Sequence, residues 1–333
     1  MKVLITGGAG YIGSSIASAC LDHGVVPVIL DNLSTGRPEF VAGRHFFHGD
    51  VAEGGLVDRV FAAHPDIAAT IHCAARIVVP ESVRDPIGYY RANVAKSVEL
   101  VDHLLRNGCH RMIFSSTAAM YAPTPQGWVD EHSPLAPGSP YARTKAAMEL
   151  AFEDFTRAYG LRVLSLRYFN PIGADPQLRT GLQTPNPTHV LGKLIEARAT
   201  GEPFRITGVE WATRDGSGVR DYVHVWDLAE AHLAGLLRFD EVLPAGGANR
   251  YEVVNLGTGV GTTVRELVAA FEEVVGSAVP TVETGPRPGD VLGCYTGGEK
   301  AAALLGWRAR FRIADGIRDS LAWDAVREQR LSR

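Results

Sequence analysis

Lys2-Val3-Leu4-Ile5-Thr6-Gly7-Gly8-Ala9-Gly10-Tyr11-Ile12-Gly13 is the stretch whose reading decides the fold. Its first residues form a short apolar run of the buried-strand type, and the residues after the glycines read as a helix to about Asp22. Gly7 permits a tight turn, Gly10 lets backbone come close to a pyrophosphate, and Gly13 lets helix and strand pack together. The helix N-terminus then offers its free amides to the phosphates. A glycine motif alone is weak evidence, but here it stands between a strand and a helix, which is the context it requires. The next strand, Val25 to Leu30, ends at Asp31, about 20 residues beyond the glycines, where a carboxylate takes ribose hydroxyls. An acid there repels a 2'-phosphate, which favours NAD over NADP, and Arg37 nearby reads as a solvated loop charge.

Strand and helix signals keep alternating outward from that start. His45 to His48 reads as a strand leading to Asp50, which could reach an adenine amine, and Val51. Thr70 to Ala75 reads as a strand ending in Cys73, Ala74 and Ala75, small residues beside which a cofactor can lie. A long helix from about Pro86 to Arg106 carries Asn93. Strand Arg111–Ser115, helix Tyr141–Tyr159 and strand Arg162–Leu166 follow. The alternation implies an α/β chain with a doubly wound parallel sheet of Rossmann type and a ligand crevice at the strand C-termini.

Chemistry concentrates where strand Arg111–Ser115 breaks into Ser116 and Thr117, and where the next helix begins with Tyr141 and Lys145. Tyr141 and Lys145 are one helical turn apart and share a face. A free phenol titrates near ~10 and is a poor base at neutrality. A nearby ammonium favours the phenolate and draws that value down, while Thr117 could share the moving proton. A Tyr and a Lys so spaced are also common as half-buried packing. Two features favour chemistry: Lys2, Lys96, Lys145, Lys193 and Lys300 are the only lysines, and the glycine motif supplies a cofactor.

Composition excludes several classes. The chain of 333 residues is 46% hydrophobic with net charge -4, so it has a sizeable core and no basic footprint for nucleic acid. No apolar run is long enough to span a membrane, and no leader-like segment precedes the first strand. Cys20, Cys73, Cys109 and Cys294 are dispersed without metal-binding spacing, which suggests reduced thiols in a cytoplasm and no metal site. His45 and His48 flank two phenylalanines in a strand and point to opposite faces.

The texture changes after Arg167-Tyr168-Phe169-Asn170-Pro171. Residues 171–187 are rich in Pro, Gly, Thr and Asn and read as a functional loop. The division expected is a cofactor domain at 1–168 and a smaller α/β substrate domain at 169–333, with some segments returning to the first. Further on, a helix is expected from Trp226 to about Leu237 and a strand from Glu252 to Asn255. Arg220 and Arg287 are candidate diphosphate clamps, because guanidinium matches phosphate bidentately.

The motifs together resemble one family. Thr6 to Gly13, Asp31-Asn32-Leu33, Glu81-Ser82-Val83, Phe114-Ser115-Ser116-Thr117, Tyr141 with Lys145, Arg167-Tyr168-Phe169-Asn170 and Gly218-Val219-Arg220-Asp221-Tyr222 look like the extended short-chain dehydrogenase/reductases, specifically the UDP-hexose 4-epimerases. The likeness runs from residue 1 to about Trp307. It implies that Tyr141 takes the proton of the sugar 4-hydroxyl while C4 gives hydride to NAD. The 4-keto sugar then turns about its diphosphate link, and hydride returns to the other face. By the same resemblance Lys145 holds the nicotinamide ribose and lowers the Tyr141 pKa. Tyr11, Ile12, Asn32, Val51, Asn93, Ser115 and Tyr168 join the glycines at the cofactor. Arg76, Asn170, His189, Val190, Arg220, Arg287, Asp290 and Cys294 join Thr117 and Tyr141 at the UDP-sugar. A homodimer is implied, paired through the helices Pro86–Arg106 and Tyr141–Tyr159, whose apolar surplus includes Leu100, Leu104, Leu105, Leu150, Phe152 and Phe155.

Departures from the family pattern bear on the substrate. Thr117 stands where many relatives have Ser, and either hydroxyl can bond the 4-oxygen. Arg76-Ile77 replaces a frequent Lys, and a uracil-stacking aromatic is missing near Thr207, with Phe204 as the substitute. Cys294 occupies the position where narrow-specificity relatives carry Tyr, leaving room for an N-acetyl group or bulkier C6. Arg76 or Lys193 could meet a C6 carboxylate, as in UDP-glucuronate or UDP-galacturonate. The rival readings are a nucleotide-sugar dehydratase or decarboxylase and a non-catalytic NAD-binding protein. The first lacks an acid after Thr117, where Ala118-Ala119 stands, and the second would not need both Tyr141 and Lys145.

Overall fold

Seven parallel strands form one sheet, and their order places the ligand crevice. The computed structural model describes residues 1–125, 127–184, 187–286 and 291–331. In chain order the first part comprises β1 (Lys2–Thr6), α1 (Tyr11–Asp22), β2 (Val26–Asp31), β3 (His45–His48), α2 (Gly54–Ala63) and β4 (Ile67–His72). Then come α3 (Val79–Arg84), α4 (Pro86–Tyr90), α5 (Lys96–Arg106), β5 (Arg111–Thr117), α6 (Pro140–Tyr159) and β6 (Arg162–Tyr168). The rest comprises β7 (Asn170–Ile172), α7 (Val190–Thr200), β8 (Phe204–Thr207), β9 (Val219–Arg220), β10 (Tyr222–His224), α8 (Val225–Leu237), α9 (Phe239–Val242) and β11 (Tyr251–Leu256). It ends with β12 (Thr262–Thr263), α10 (Val264–Val275), β13 (Thr281–Thr284), α11 (Glu299–Leu305) and α12 (Ile313–Leu331).

The large sheet runs β11-β6-β5-β4-β1-β2-β3. Every neighbouring pair in it is parallel. The expected doubly wound sheet is therefore present, with its order reversing at β1 between β2 and β4. Val3, Leu4 and Ile5 are fully buried, as a central strand covered on both faces requires. Small residues on α1, among them Ser14, Ala17 and Ser18, are also fully buried where α1 packs against α8. A separate apolar core joins Leu191 and Leu194 of α7, Phe204 and Ile206 of β8, and Leu267 and Phe271 of α10. The chain also crosses back, because β11 completes the first sheet beside β6.

Several boundaries differ from the sequence reading. β5 and β6 each run two residues further than expected, to Thr117 and Tyr168, so the hydroxyl residues lie in the sheet. The strand expected from Thr70 to Ala75 instead spans Ile67–His72, leaving Cys73 to Ala75 just beyond its end. The long helix from Pro86 is interrupted by a π-helical turn at Arg91–Ala95, where the backbone widens around buried Asn93. Phe204 is a core residue 5% exposed, so it is not the stacking aromatic proposed for it.

Of the apolar residues on α5 and α6, Leu100, Leu104 and Phe152 are buried within the chain's own core. Leu150 is 66% exposed, and Val83, Ile87, Tyr90 and Val98 are also exposed on α3, α4 and α5. No helix among the described residues is long and apolar enough to cross a membrane. The four cysteines form no disulfide. No cluster of metal-ligating side chains is present among the described residues.

Candidate active site

The loop after β1 has the geometry its glycines imply. Gly7 has φ +72°, and a Cβ there would lie 2.6 Å from the Ala74 amide nitrogen. A Cβ on Gly13 would meet the Gly7 carbonyl oxygen at 2.3 Å, so helix and loop touch at backbone distance. A Cβ on Gly10 would meet nothing closer than 3.4 Å, which leaves that side of the loop open. Gly10 is the N-cap of α1, and no side chain caps the helix. An open cradle ending on uncapped amides fits a pyrophosphate.

Beyond the crevice Asp31 is 7% exposed and accepts from the amides of Ala9 (3.0 Å) and Leu33 (2.8 Å). Burial pushes its pKa up, and those two amide bonds oppose the shift. Asp50 accepts from Lys96 Nζ at 2.5 Å and from Asn32 Nδ2 at 3.2 Å, with Val51 buried behind it.

The catalytic candidates converge where β5 ends. Tyr141 and Lys145 are 8% and 4% exposed, on the face of α6 turned toward the sheet. Ser139 caps this helix by accepting from the Ala142 amide, and Pro140 occupies its first turn, which sets the direction in which Tyr141 enters. Burial pushes the Tyr141 phenol up to about 12, with a hydrogen bond to Thr117 opposing it. Lys145 Nζ donates to the Ser115 carbonyl at 2.7 Å and lies 4.6 Å from the centroid of the Phe114 ring. Burial lowers Lys145 to about 8, with Cys73 and Glu149 opposing. The expectation that Lys145 depresses the Tyr141 pKa is therefore corrected. Its ammonium is anchored on the strand, and desolvation of the phenolate outweighs the Thr117 bond.

A polar chain runs behind this pair. Cys73 Sγ lies 3.1 Å from Ser115 Oγ, and burial raises that thiol to about 11. His232 donates through Nδ1 to the Leu228 carbonyl at 2.7 Å, so its Nε2 accepts from Ser115 Oγ at 3.3 Å. Burial lowers His232 to about 4, which keeps it neutral at pH 7. Tyr168 also bonds Ser115. Asn93, expected at the cofactor, spends both amide protons on the Arg76 carbonyl (2.9 Å) and Thr144 Oγ1 (3.1 Å). It accepts from the Arg76 amide as well, so it braces the loop after β4 against α6.

On the second side of the crevice Asn170 Nδ2 donates to the Asp221 carbonyl at 3.3 Å. His189 caps α7, its Nδ1 accepting from the Gly192 amide at 3.2 Å, with Val190 as the first helical residue. Its Nε2 is consequently the protonated nitrogen, buried and without a partner among the described residues. Burial lowers its pKa to about 4. Arg220 donates to the carbonyls of Val219, Val291 and Leu292. Cys294 lies with its Sγ 3.9 Å from the Ala118 carbonyl, one residue past Thr117. Arg287 and Asp290 lie outside the described residues.

Two expected sugar contacts are corrected. Arg76 donates to Asp85 (2.6 Å) and Glu81 (2.9 Å) and stacks 4.5 Å from the Tyr89 ring centroid, so both arms of its guanidinium are taken. Lys193 pairs with Glu196 at 2.5 Å on the surface of α7. A carboxylate at C6 would have to displace an acidic partner from either of them.

Sequence reasoning missed Glu149. Glu149 lies four residues after Lys145, a spacing that was there to be read. Trp211 lines a cleft of about 490 Å³ with Gly208, Glu210 and Thr284.

Comparison with known proteins gives consistent matches. Residues 3–257 match the family model described as NAD dependent epimerase/dehydratase family. A UDP-glucose 4-epimerase of Azospirillum brasilense is 41% identical over 331 residues, covering 98% of this chain and 93% of that protein. A crystal structure of a Stenotrophomonas maltophila UDP-glucose-4-epimerase with bound NAD and formylated UDP-arabinopyranose superposes with TM-score 0.92 at 31% identity, covering 99% of each chain. A UDP-Glc/GlcNAc 4-epimerase of Campylobacter jejuni superposes with TM-score 0.80 at 32% identity, covering 97% of this chain and 99% of that one.

Proposed function

Because the chain belongs to the NAD dependent epimerase/dehydratase family, among its UDP-glucose 4-epimerases, we propose a division of labour among the residues of its site. The protein is an isomerase that inverts C4 of a UDP-hexose with NAD. When bound, NAD accepts hydride from C4 and returns it. The open cradle at Gly10 carries the cofactor reading, since an uncapped helix end behind it answers a pyrophosphate. Gly7, Gly13, Tyr11 and Ile12 shape that cradle, Asp31 takes the adenosine ribose, and Asp50 with Asn32 borders the adenine. Cys73, Ala74, Ala75, Ser115 and Tyr168 wall the nicotinamide side. Residues 1–168 hold NAD and 169–333 mainly hold the UDP-sugar.

Tyr141 removes the proton of the sugar 4-hydroxyl and gives it back, with Thr117 bonding the same oxygen. Lys145 keeps a positive charge beside them. His189 supports an anion on the second side, because its buried Nε2–H is a donor with no partner among the described residues. Asn170, Val190, Arg220, Arg287 and Asp290 complete the diphosphate contacts. Inversion needs the ring to present both faces, so its surroundings must leave space. Cys294, small and apolar, sets back the wall beside Ala118. With Arg76 and Lys193 both paired, the sugar is one without a C6 carboxylate: UDP-glucose and UDP-galactose, with room for a 2-N-acetyl group.

The test measures kcat/KM for UDP-glucose and UDP-N-acetylglucosamine on wild type and on Cys294→Tyr. Overpacking should cost the bulkier sugar roughly ten- to hundredfold while UDP-glucose loses far less. An unchanged ratio would remove Cys294 from the sugar pocket, and preferred turnover of UDP-glucuronate would overturn the substrate reading.

The exposed apolar row of Val83, Ile87, Tyr90, Val98 and Leu150 supports a two-fold homodimer through α3 to α6. Light scattering at micromolar concentration should give twice the 35.8 kDa chain mass, and a monomer would sink this. The four free thiols suit a cytoplasmic setting.

A further inference from the structure

Glu149 is a carboxylate buried to 5% exposure, on the same face of α6 as Tyr141 and Lys145, and the reaction itself does not call on it. Its Oε1 accepts from Ser116 Oγ at 2.5 Å and from Arg167 Nε at 3.1 Å. Its Oε2 accepts from Arg167 Nη2 at 2.5 Å. The remaining arm of Arg167 donates through Nη1 to the Tyr121 hydroxyl at 3.0 Å, which in turn donates to Asn255 Oδ1 at 2.7 Å on β11. Both members of the ion pair have side chains 6% exposed.

The register of these contacts is what matters. Ser116 immediately precedes Thr117 on β5, and Arg167 immediately precedes Tyr168 on β6. Alternation along a strand sends Ser116 and Arg167 toward α6 and their neighbours to the other face of the sheet. One carboxylate therefore ties the helix bearing Tyr141 and Lys145 to the two strands that deliver Thr117 and Tyr168. Cα partners Ser116↔Arg167 are directly opposed in the β5–β6 ladder, so the three groups meet at one level of the sheet.

We propose that Glu149, with Arg167 and Ser116, is the positioning element of the site, holding α6 in register with β5 and β6 so that Tyr141 meets Thr117 at the sugar oxygen. A buried ion pair is weak evidence of stability, since well-packed apolar residues of like volume often do as well. Directional bonds fix a rotation and a register, which apolar packing does not. Proton transfer is sensitive to such placement, because displacement of about 1 Å can cost roughly a hundredfold.

The proposal rests on α6 being the catalytic helix of an NAD-dependent C4 epimerase, so wild-type turnover of UDP-glucose is measured alongside. A wild type that does not epimerise UDP-glucose would overturn that reading and the proposal with it; an active wild type beside an equally active variant refutes only the positioning role. The variant is Glu149→Met/Arg167→Met, which removes both charges and keeps volume. Its thermal midpoint should match or exceed wild type, its retained NAD and KM should be unchanged, and kcat should fall at least roughly tenfold. Wild-type kcat in the folded variant, or a loss of kcat in the folded variant that is matched by an equal loss of bound NAD, would overturn the proposal. Ser116→Ala covers the case in which the double variant does not fold. It leaves the ion pair intact and should lower kcat severalfold with KM held, and an unchanged kcat refutes the positioning role.

Discussion

Replacing Tyr141 by Phe should lower turnover by roughly two to four orders of magnitude while leaving fold and NAD binding intact, the usual cost of losing a general acid–base group. The substitution removes one oxygen from a buried ring, and the bond it breaks among the described residues is the one to Thr117. The loss should therefore appear in kcat rather than in stability. Burial holds the phenol at about 12, so the phenolate that takes the sugar proton has to be favoured by positive charge brought close to it when cofactor and substrate bind. Such a group moves a proton only when a partner is held in bonding distance, which is why Thr117 matters. The check is epimerisation of UDP-glucose by purified variant, with bound cofactor read from its ultraviolet spectrum. Turnover within tenfold of wild type would remove the base role from Tyr141.

Much of this site was legible because its parts are local in sequence. The glycines between β1 and α1 need only a strand before them and a helix after them, and Gly7 and Gly13 have the close backbone contacts that such spacing implies. The Tyr141–Lys145 spacing likewise needs nothing beyond helical periodicity. What failed was the environment. Periodicity puts Lys145 beside Tyr141 but does not reveal that the ammonium reaches back to Ser115, a partner 30 positions away in the chain. The pairing of Arg76 with Asp85 depends on how α3 and α4 fold over the loop after β4. Strands as short as β9 and β12, two residues each, carry no alternation to read. Phe204 resembled a ligand contact only because its burial by α10 was invisible.

Lys145→Met separates what that lysine does for the reaction from what it does for the fold. The ammonium is fully desolvated between β5 and α6, and burial lowers its pKa to about 8 from an ordinary value near 10.5. A lysine with a depressed folded pKa costs stability wherever it is charged in both states, here below pH 8. The cost is on the order of 3 kcal/mol, because a tenfold change in proton affinity is worth about 1.4 kcal/mol. Between pH 8 and about 10.5 the unfolded chain binds the extra proton, so stability from this group rises with pH. Methionine has similar reach and removes the charge, but it deletes the bond that Lys145 gives the Ser115 carbonyl, at about 1–3 kcal/mol. The two terms nearly cancel. The variant should be about as stable as wild type at pH 7 and relatively weaker at pH 9.5. Turnover should nevertheless fall by roughly two to three orders of magnitude, because the proposed site loses the buried cation that it keeps on the catalytic face of α6. Wild-type kcat should decline above pH 8 as Lys145 loses its proton, and the residual activity of the variant should lack that limb. Chemical denaturation at the two pH values, set beside the kcat profiles, distinguishes the roles. A variant markedly less stable at pH 7 would make Lys145 a structural brace, and one within tenfold of wild-type turnover would remove its charge from the chemistry.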